Sequence, residues 1–113
     1  DRKYDLVTSF HCAECVARNK TEWWDMKKRI LNLVQPGGGV FFSVVYNCVS
    51  YQVLGKWFPV IPTIESDYEA LLNAETFQDV QITRHDCPEF AESGFSQVLI
   101  VSGFKLAATQ TGM

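Results

Sequence analysis

Cys12 and Cys15 form a C-x-x-C pair with His11 directly before it and Glu14 inside it, so side chains able to move a proton, bind a metal or exchange electrons fall close together. At the start of a helix such a thiol pair can have a depressed pKa and cycle between thiol and disulfide, or supply half of a zinc site. Zinc would need two more ligands from His11, Cys48, His85 and Cys87, whose spacing matches no standard finger, so no metal is expected. The plainer reading of Cys12 and Cys15 is small, semi-buried residues lining a cleft, with a thiol redox protein as an alternative function. His11 and Glu14 are also residue types used in general acid–base catalysis, provided they reach the proton to be moved.

The elements around this cluster suggest how it is held. Tyr4 to Phe10 reads as a short strand centred on Leu6 and Val7. A helix follows from near Asn19 or Thr21, with Asn19 and Glu22 at capping-box spacing. Trp23, Met26, Ile30, Leu33 and Val34 form its apolar stripe, beside the charges Asp25, Lys27, Lys28 and Arg29. Pro36 cannot continue that helix, and Gly37 to Gly39 can take the positive φ of a helix exit. Val40 to Tyr46 is apolar except for Ser43 and does not alternate, the pattern of a strand covered on both faces in a parallel sheet. Strand, helix and strand thus make one βαβ unit with a right-handed crossover.

Further on, Ser66 and Glu69 have capping-box spacing ahead of Tyr68, Leu71 and Leu72. Val80 and Ile82 alternate with polar residues, and Gln97 to Phe104 is a dense apolar run. The loop between them, Asp86 to Ser96, contains Pro88 and Gly94, which allows those last two strands to pair antiparallel. The expected fold is α/β, in the order strand, helix, strand, helix, strand, strand, as the C-terminal half of a doubly wound Rossmann-like sheet. In such sheets ligands lie at the carboxyl ends of the strands. Here those ends are Ser9, Phe10 and His11 after the first strand and Tyr46, Asn47 and Cys48 after the second.

With 113 residues, 47% hydrophobic and 13% aromatic, the chain can build one core. A net charge of -3 without a basic patch argues against nucleic acid as the main partner. No apolar stretch reaches membrane-spanning length and no signal peptide is visible, so a soluble, cytoplasmic protein with no membrane partner is expected. Residues 1–105 are expected to form the domain and 106–113 a flexible tail.

Tyr4, Asp5, Leu6 and Val7, together with the Pro-Gly-Gly-Gly-Val-Phe-Phe run at 36–42, resemble strands four and five of class I S-adenosylmethionine-dependent methyltransferases. Ser50, Tyr51, Gly55, Lys56 and Phe58, then Asp67, Leu71, Leu72 and Phe77, resemble the small-molecule branch that includes nicotinamide, phenylethanolamine and indolethylamine N-methyltransferases. The resemblance implies methyl transfer from S-adenosylmethionine to an N, S, O or C atom of a small-molecule acceptor. It implies that Ser9 and Phe10 lie toward the donor, and that Phe10 or Tyr46 faces the sulfonium, worth roughly 0.5–2 kcal/mol of cation–π attraction. His11 or Glu14 would orient the acceptor or take its proton, and Tyr46, Asn47, Ser50, Tyr51 and Glu92 would bind it, with Trp57 on the segment closing over it.

Amine-methylating relatives usually anchor the acceptor with carboxylates in the second of these strands and in the loop before the last. Val44 and Val45 stand in the former region, while Asp86, Glu89 and Glu92 populate the latter. The family's glycine-rich donor turn has no counterpart, since no G-x-G-x-G occurs and Gly37 to Gly39 lead into a strand rather than opening a helix. The chain therefore reads as the acceptor half of a methyltransferase domain, inactive alone, with the donor-binding half elsewhere. The strand Tyr4 to Phe10 would then be an unprotected edge, open to that half or to self-association. A non-catalytic, methyltransferase-like interaction module is the other alternative.

Overall fold

A computed structural model describes residues 2–107. The first strand, β1, is Tyr4–Phe10, as its composition predicts, and it runs parallel to β2, Val34–Val45. β6 (Gln97–Lys105) pairs antiparallel with β2, and β5 (Phe77–Asp86) pairs antiparallel with β6. The four-stranded sheet therefore has the order β1-β2-β6-β5, with only β6 reversed. The helices are α1 (Ala13–Val16), α2 (Lys20–Leu31) and α3 (Glu65–Leu71), with a 3-10 turn at Pro88–Ser93.

One face of the sheet holds the core. Val40, Phe42 and Val44 of β2 and Leu99 and Val101 of β6 pack there against Trp23 and Leu31 of α2 and Tyr68 and Leu71 of α3, all buried. The opposite face is only partly covered, contrary to the expectation of burial on both sides. Phe41 and Ser43 are half-buried there, and Leu6, Phe10 and Phe104 are exposed. In register terms Thr8 sits beside Phe41 and Phe10 beside Ser43, so the open face is continuous across β1 and β2.

α2 begins where its cap predicts: Asn19 accepts the Glu22 N–H at 2.8 Å. The Glu22 carboxylate, however, bonds the Arg18 N–H and guanidinium rather than the Asn19 N–H. The helix stops at Leu31, so Leu33 and Val34 are not part of its stripe, and Lys27 is. Trp23, Lys27 and Leu31 fall at i, i+4 and i+8 and are all buried.

Pro36 and Gly37 do not make a helix exit. They lie inside β2, where the register with β1 shifts between Tyr4 and Leu6. The extra residues need Gly37 at φ +87, and a Cβ at Gly38 would stand 2.7 Å from the Asp5 carbonyl oxygen. Pro-Gly punctuation marks a bulge and a turn alike, which is why the sequence misplaces the boundary.

α3 is capped two residues earlier than Ser66 and Glu69 suggest. The Ile64 N–H donates to the Asp67 carboxylate at 2.8 Å, and Ser66 lies within the helix. A hairpin absent from the sequence reading joins β3 (Ser50–Val53) to β4 (Lys56–Pro59). Leu54 and Gly55 turn it, both at positive φ, the backbone of a two-residue type I′ turn. Leu106, assigned to the tail, donates its N–H to Thr76 at 2.9 Å, and the rest of that segment from 108 onward lies outside the described residues. No helix among the described residues is long and apolar enough to cross a membrane.

Candidate active site

Parallel pairing brings the carboxyl ends of β1 and β2 side by side. The His11 N–H extends the ladder to the Ser43 carbonyl at 2.9 Å, and His11 itself turns at φ +54 to start the path into α1. Beyond β2, the Tyr46 N–H donates to the Gln97 carbonyl and Asn47, at φ +45, donates to the Thr63 carbonyl. Both strands thus leave the sheet through a left-handed residue, which is uncommon for residues other than glycine.

Between these exits lies a cleft of about 270 Å³ lined by His11, Cys15, Val45, Tyr51 and Phe95. That volume is near the lower end of small-molecule sites, roughly 300–1,000 Å³. Its walls are β1's exit, α1, the end of β2, the β3–β4 hairpin and the segment after the 3-10 turn. Phe95 is stacked on Phe90 with ring centroids 5.3 Å apart, and Tyr51 rests against Phe58 at 5.9 Å. Gly94 locks the hairpin to the 3-10 turn: at φ +111, a Cβ there would stand 2.4 Å from the Ser50 carbonyl oxygen and 3.0 Å from the Trp57 ring. A larger groove of about 620 Å³ runs along α2 past Asn19, Asp25 and Arg29. One helix forms most of it and no strand end among the described residues reaches it, so position favours the smaller cleft.

Beneath the cleft is a buried polar network. Glu14 is fully buried, and its Oε2 accepts the Trp23 indole N–H at 2.6 Å. The Lys27 ammonium lies 3.0 Å from the same oxygen without hydrogen-bond alignment, and stands 4.3 Å over the Phe42 ring. The Tyr68 hydroxyl approaches Oε2 at 3.4 Å and shares a 2.9 Å bond with Thr63. Four atoms among the described residues are buried without a hydrogen-bond partner, and all belong to this region: Ser9 Oγ, His11 Nδ1, Glu14 Oε1 and Lys27 Nζ.

Burial holds the His11 pKa below its ordinary value; Glu14 opposes that shift and Lys27 adds to it. Burial also raises the Cys15 thiol, partly offset by its hydrogen bond with Tyr51. Tyr51 is raised chiefly by the charge Cys15 would carry. Cys48, buried beside the hairpin, is raised by burial and donates to the Ser50 carbonyl.

His11, Cys15 and Tyr51 are the residues singled out in the sequence that the structure brings together in the cleft, whereas Cys12 is exposed and does not line it. Glu14 lies below it, engaged with Trp23 and Lys27. Ser9 pairs in register with Phe42 and is buried on the core side, whereas Phe10 is exposed and tilted on Phe41 at 6.1 Å. Tyr46 carries the Arg84 guanidinium 3.9 Å over its ring, and Arg84 is held in turn by Glu65. Asn47 and Ser50 shape the backbone at the cleft's edge, and Glu92 is exposed on the 3-10 turn.

All four cysteines are free. No group of three or more His, Cys, Asp or Glu side chains among the described residues could hold a metal ion. Sequence reasoning misses Val45 and Phe95 as lining residues, and Trp23, Lys27 and Tyr68 beneath them. The i, i+4 placement of Trp23 and Lys27 is the available signal for the last group.

Solved structures share this arrangement of strands and helices. The Burkholderia thailandensis 1,6-didemethyltoxoflavin-N1-methyltransferase, with bound 1,6-didemethyltoxoflavin and S-adenosylhomocysteine, superposes with a TM-score of 0.62 at 17% identity over 94% of this chain and 45% of its own. The chain carries part of a methyltransferase fold. An S-adenosylmethionine-dependent methyltransferase from Clostridium acetobutylicum agrees at a TM-score of 0.60 and 14% identity, over 96% of this chain and 60% of its own. DhpI in complex with SAH agrees at 0.54 and 18% identity, over 94% and 49%. The chain therefore spans 45–60% of the length of these methyltransferases. No protein-family model matches the sequence, and no curated protein matches it.

Proposed function

We propose that this chain is the acceptor side of a cytoplasmic small-molecule methyltransferase that uses S-adenosylmethionine, with the donor gripped chiefly by segments outside these residues. The observation that carries the reading is the cleft at the carboxyl ends of β1 and β2, where this sheet order places ligands. Methyl transfer from a sulfonium is an in-line displacement, so the protein's task is to align a lone pair and exclude water. The largely apolar cleft suits exclusion, and His11 is the group in it able to accept a proton. Phe10 fits a place beside the sulfonium because its ring is exposed at the end of β1, whereas one face of Tyr46 already carries Arg84.

No carboxylate among the described residues lines the cleft, which weighs against anchoring a cationic amine and so against the amine-specific members of the resembled branch. The raised thiol of Cys15 weighs against the redox alternative, since the thiolate is the reactive form. The test is transfer of a labelled methyl group, measured for this chain alone and for the polypeptide of its complete reading frame. Activity and donor binding in the latter, with weak donor binding in the former, are expected. Low-micromolar donor affinity of the 113 residues alone would overturn the division of labour.

A second reading rests on the exposed edge. β1 ends the sheet, and Leu6, Phe10 and Phe104 are exposed on its open face. A non-catalytic module that pairs through β1 would use that surface, and complete loss of donor binding in the longer polypeptide would favour it.

A further inference from the structure

The buried network under the cleft has more polar capacity than its internal bonds use: Ser9 Oγ, His11 Nδ1, Glu14 Oε1 and Lys27 Nζ are buried without a hydrogen-bond partner. Ser9 is in register with Phe42, and Lys27 Nζ stands over the Phe42 ring while contacting Glu14. Glu14 follows His11 by one turn of chain, and both Glu14 and Lys27 act electrostatically on the imidazole. His11 Nδ1 is buried, while the ring lines the cleft. A buried carboxylate oxygen without a donor is costly, and Nδ1–H is a donor whose own partner is open.

We propose that Glu14 is a positioning residue: its Oε1 accepts from one bridging water that in turn accepts the His11 Nδ1–H, and so fixes the tautomer whose Nε2 lone pair faces the cleft. The inference rests on the acceptor-site reading and assigns unequal roles to two residues that the sequence could not separate. His11 takes the proton of the acceptor's reacting heteroatom; that atom's lone pair bonds the methyl carbon, and the carbon–sulfur pair stays on sulfur. Trp23, Lys27 and Tyr68 hold Oε2 and so leave Oε1 as the oxygen available to His11.

The charges facing His11 make the assignment testable without activity. Glu14 on α1 favours the imidazolium and Lys27 on α2 disfavours it. Cys15 on α1 and Tyr51 on β3 both titrate above their ordinary values, so they stay neutral through the histidine range. Removing Glu14's charge should therefore lower the His11 pKa, and removing that of Lys27 should raise it.

The experiment is imidazole nitrogen NMR on the 113-residue chain labelled at histidine, with His85, on β5 and bonded to Thr83, as the internal reference. In the wild type His11 should be the Nδ1–H tautomer. Glu14→Gln should mix the tautomers and move the titration to lower pH, and Lys27→Met should move it to higher pH. The double variant Glu14→Gln/Lys27→Met removes both charges and guards against unfolding by an unpaired buried charge; it too should lose the tautomer preference. An Nε2–H tautomer in the wild type, or an unchanged preference in a folded double variant, overturns the proposal. A failure of the methyltransferase reading would appear in the transfer assay and leave these spectra unchanged.

Discussion

Gly94→Ala tests whether the cleft's outer wall is built on the close approach between the β3–β4 hairpin and the 3-10 turn. Two costs are separable. A non-glycine residue at φ +111 is strained, a penalty of about 1–3 kcal/mol. The added methyl would also stand 2.4 Å from the Ser50 carbonyl oxygen, and forcing backbone to move in a packed site costs a further 1–3 kcal/mol or so. The expected loss is thus roughly 2–6 kcal/mol.

Gly55 provides the control. It has φ +80, but nothing lies within 4 Å of the place an added methyl would occupy, so Gly55→Ala carries the backbone cost alone. Urea unfolding of both variants, read as midpoints at constant slope, should show Gly94→Ala as the more destabilised by about 1–3 kcal/mol. Tyr51 and Phe95 flank the contact and line the cleft, so ligand affinity in the complete protein should fall as well. Equal midpoints for the two variants would refute the idea that the hairpin is seated on Gly94.

Val44→Ala, at a fully buried site in the middle of the sheet, should cost about 2–4 kcal/mol in the same unfolding assay, and a loss under 1 kcal/mol or so would mean the core closes around the gap. Stability should fall as pH drops through the ordinary histidine range, because the His11 pKa is lowered in the folded state and the unfolded chain binds the proton first. His11→Asn should flatten that segment of the stability profile, whereas an unchanged slope would place its origin elsewhere. Leu6→Lys puts a charge on the exposed edge strand; it should shift any self-association seen by sedimentation toward monomer, and an unaffected equilibrium would exclude the β1 edge as the contact.

Local signals in the sequence are legible where one physical demand has one solution. β1 is readable because a short β-prone run ends in residues that must turn, and Asn19 because few side chains can accept the Glu22 N–H. Ambiguity enters where one signal serves two structures. Pro36 and Gly37 satisfy a bulge as well as a helix end, and the i, i+3 spacing fits Ile64 with Asp67 as well as Ser66 with Glu69, where the better capping residue loses to the packing of the chain. Leu54 gives no hint of a type I′ turn, since leucine seldom takes positive φ. Lys27 is least legible of all: its charge reads as solvent-facing, and only the fold brings Glu14 and Phe42 to it.

The placement of β6 has a consequence for how the chain is made. β6 bonds both β2 and β5, which do not pair with each other, yet it is the last of these strands to be synthesised. Until Gln97 to Lys105 has left the ribosome, β2 lacks its antiparallel partner and β5 has no neighbour among the described strands. β6 alone links β5 to the rest of the four-stranded sheet, so loss of a few residues from it removes the keystone rather than a border. Nascent chains halted before Gln97 should stay sensitive to protease from β2 through β5, and early protection of those strands would show that they fold without β6.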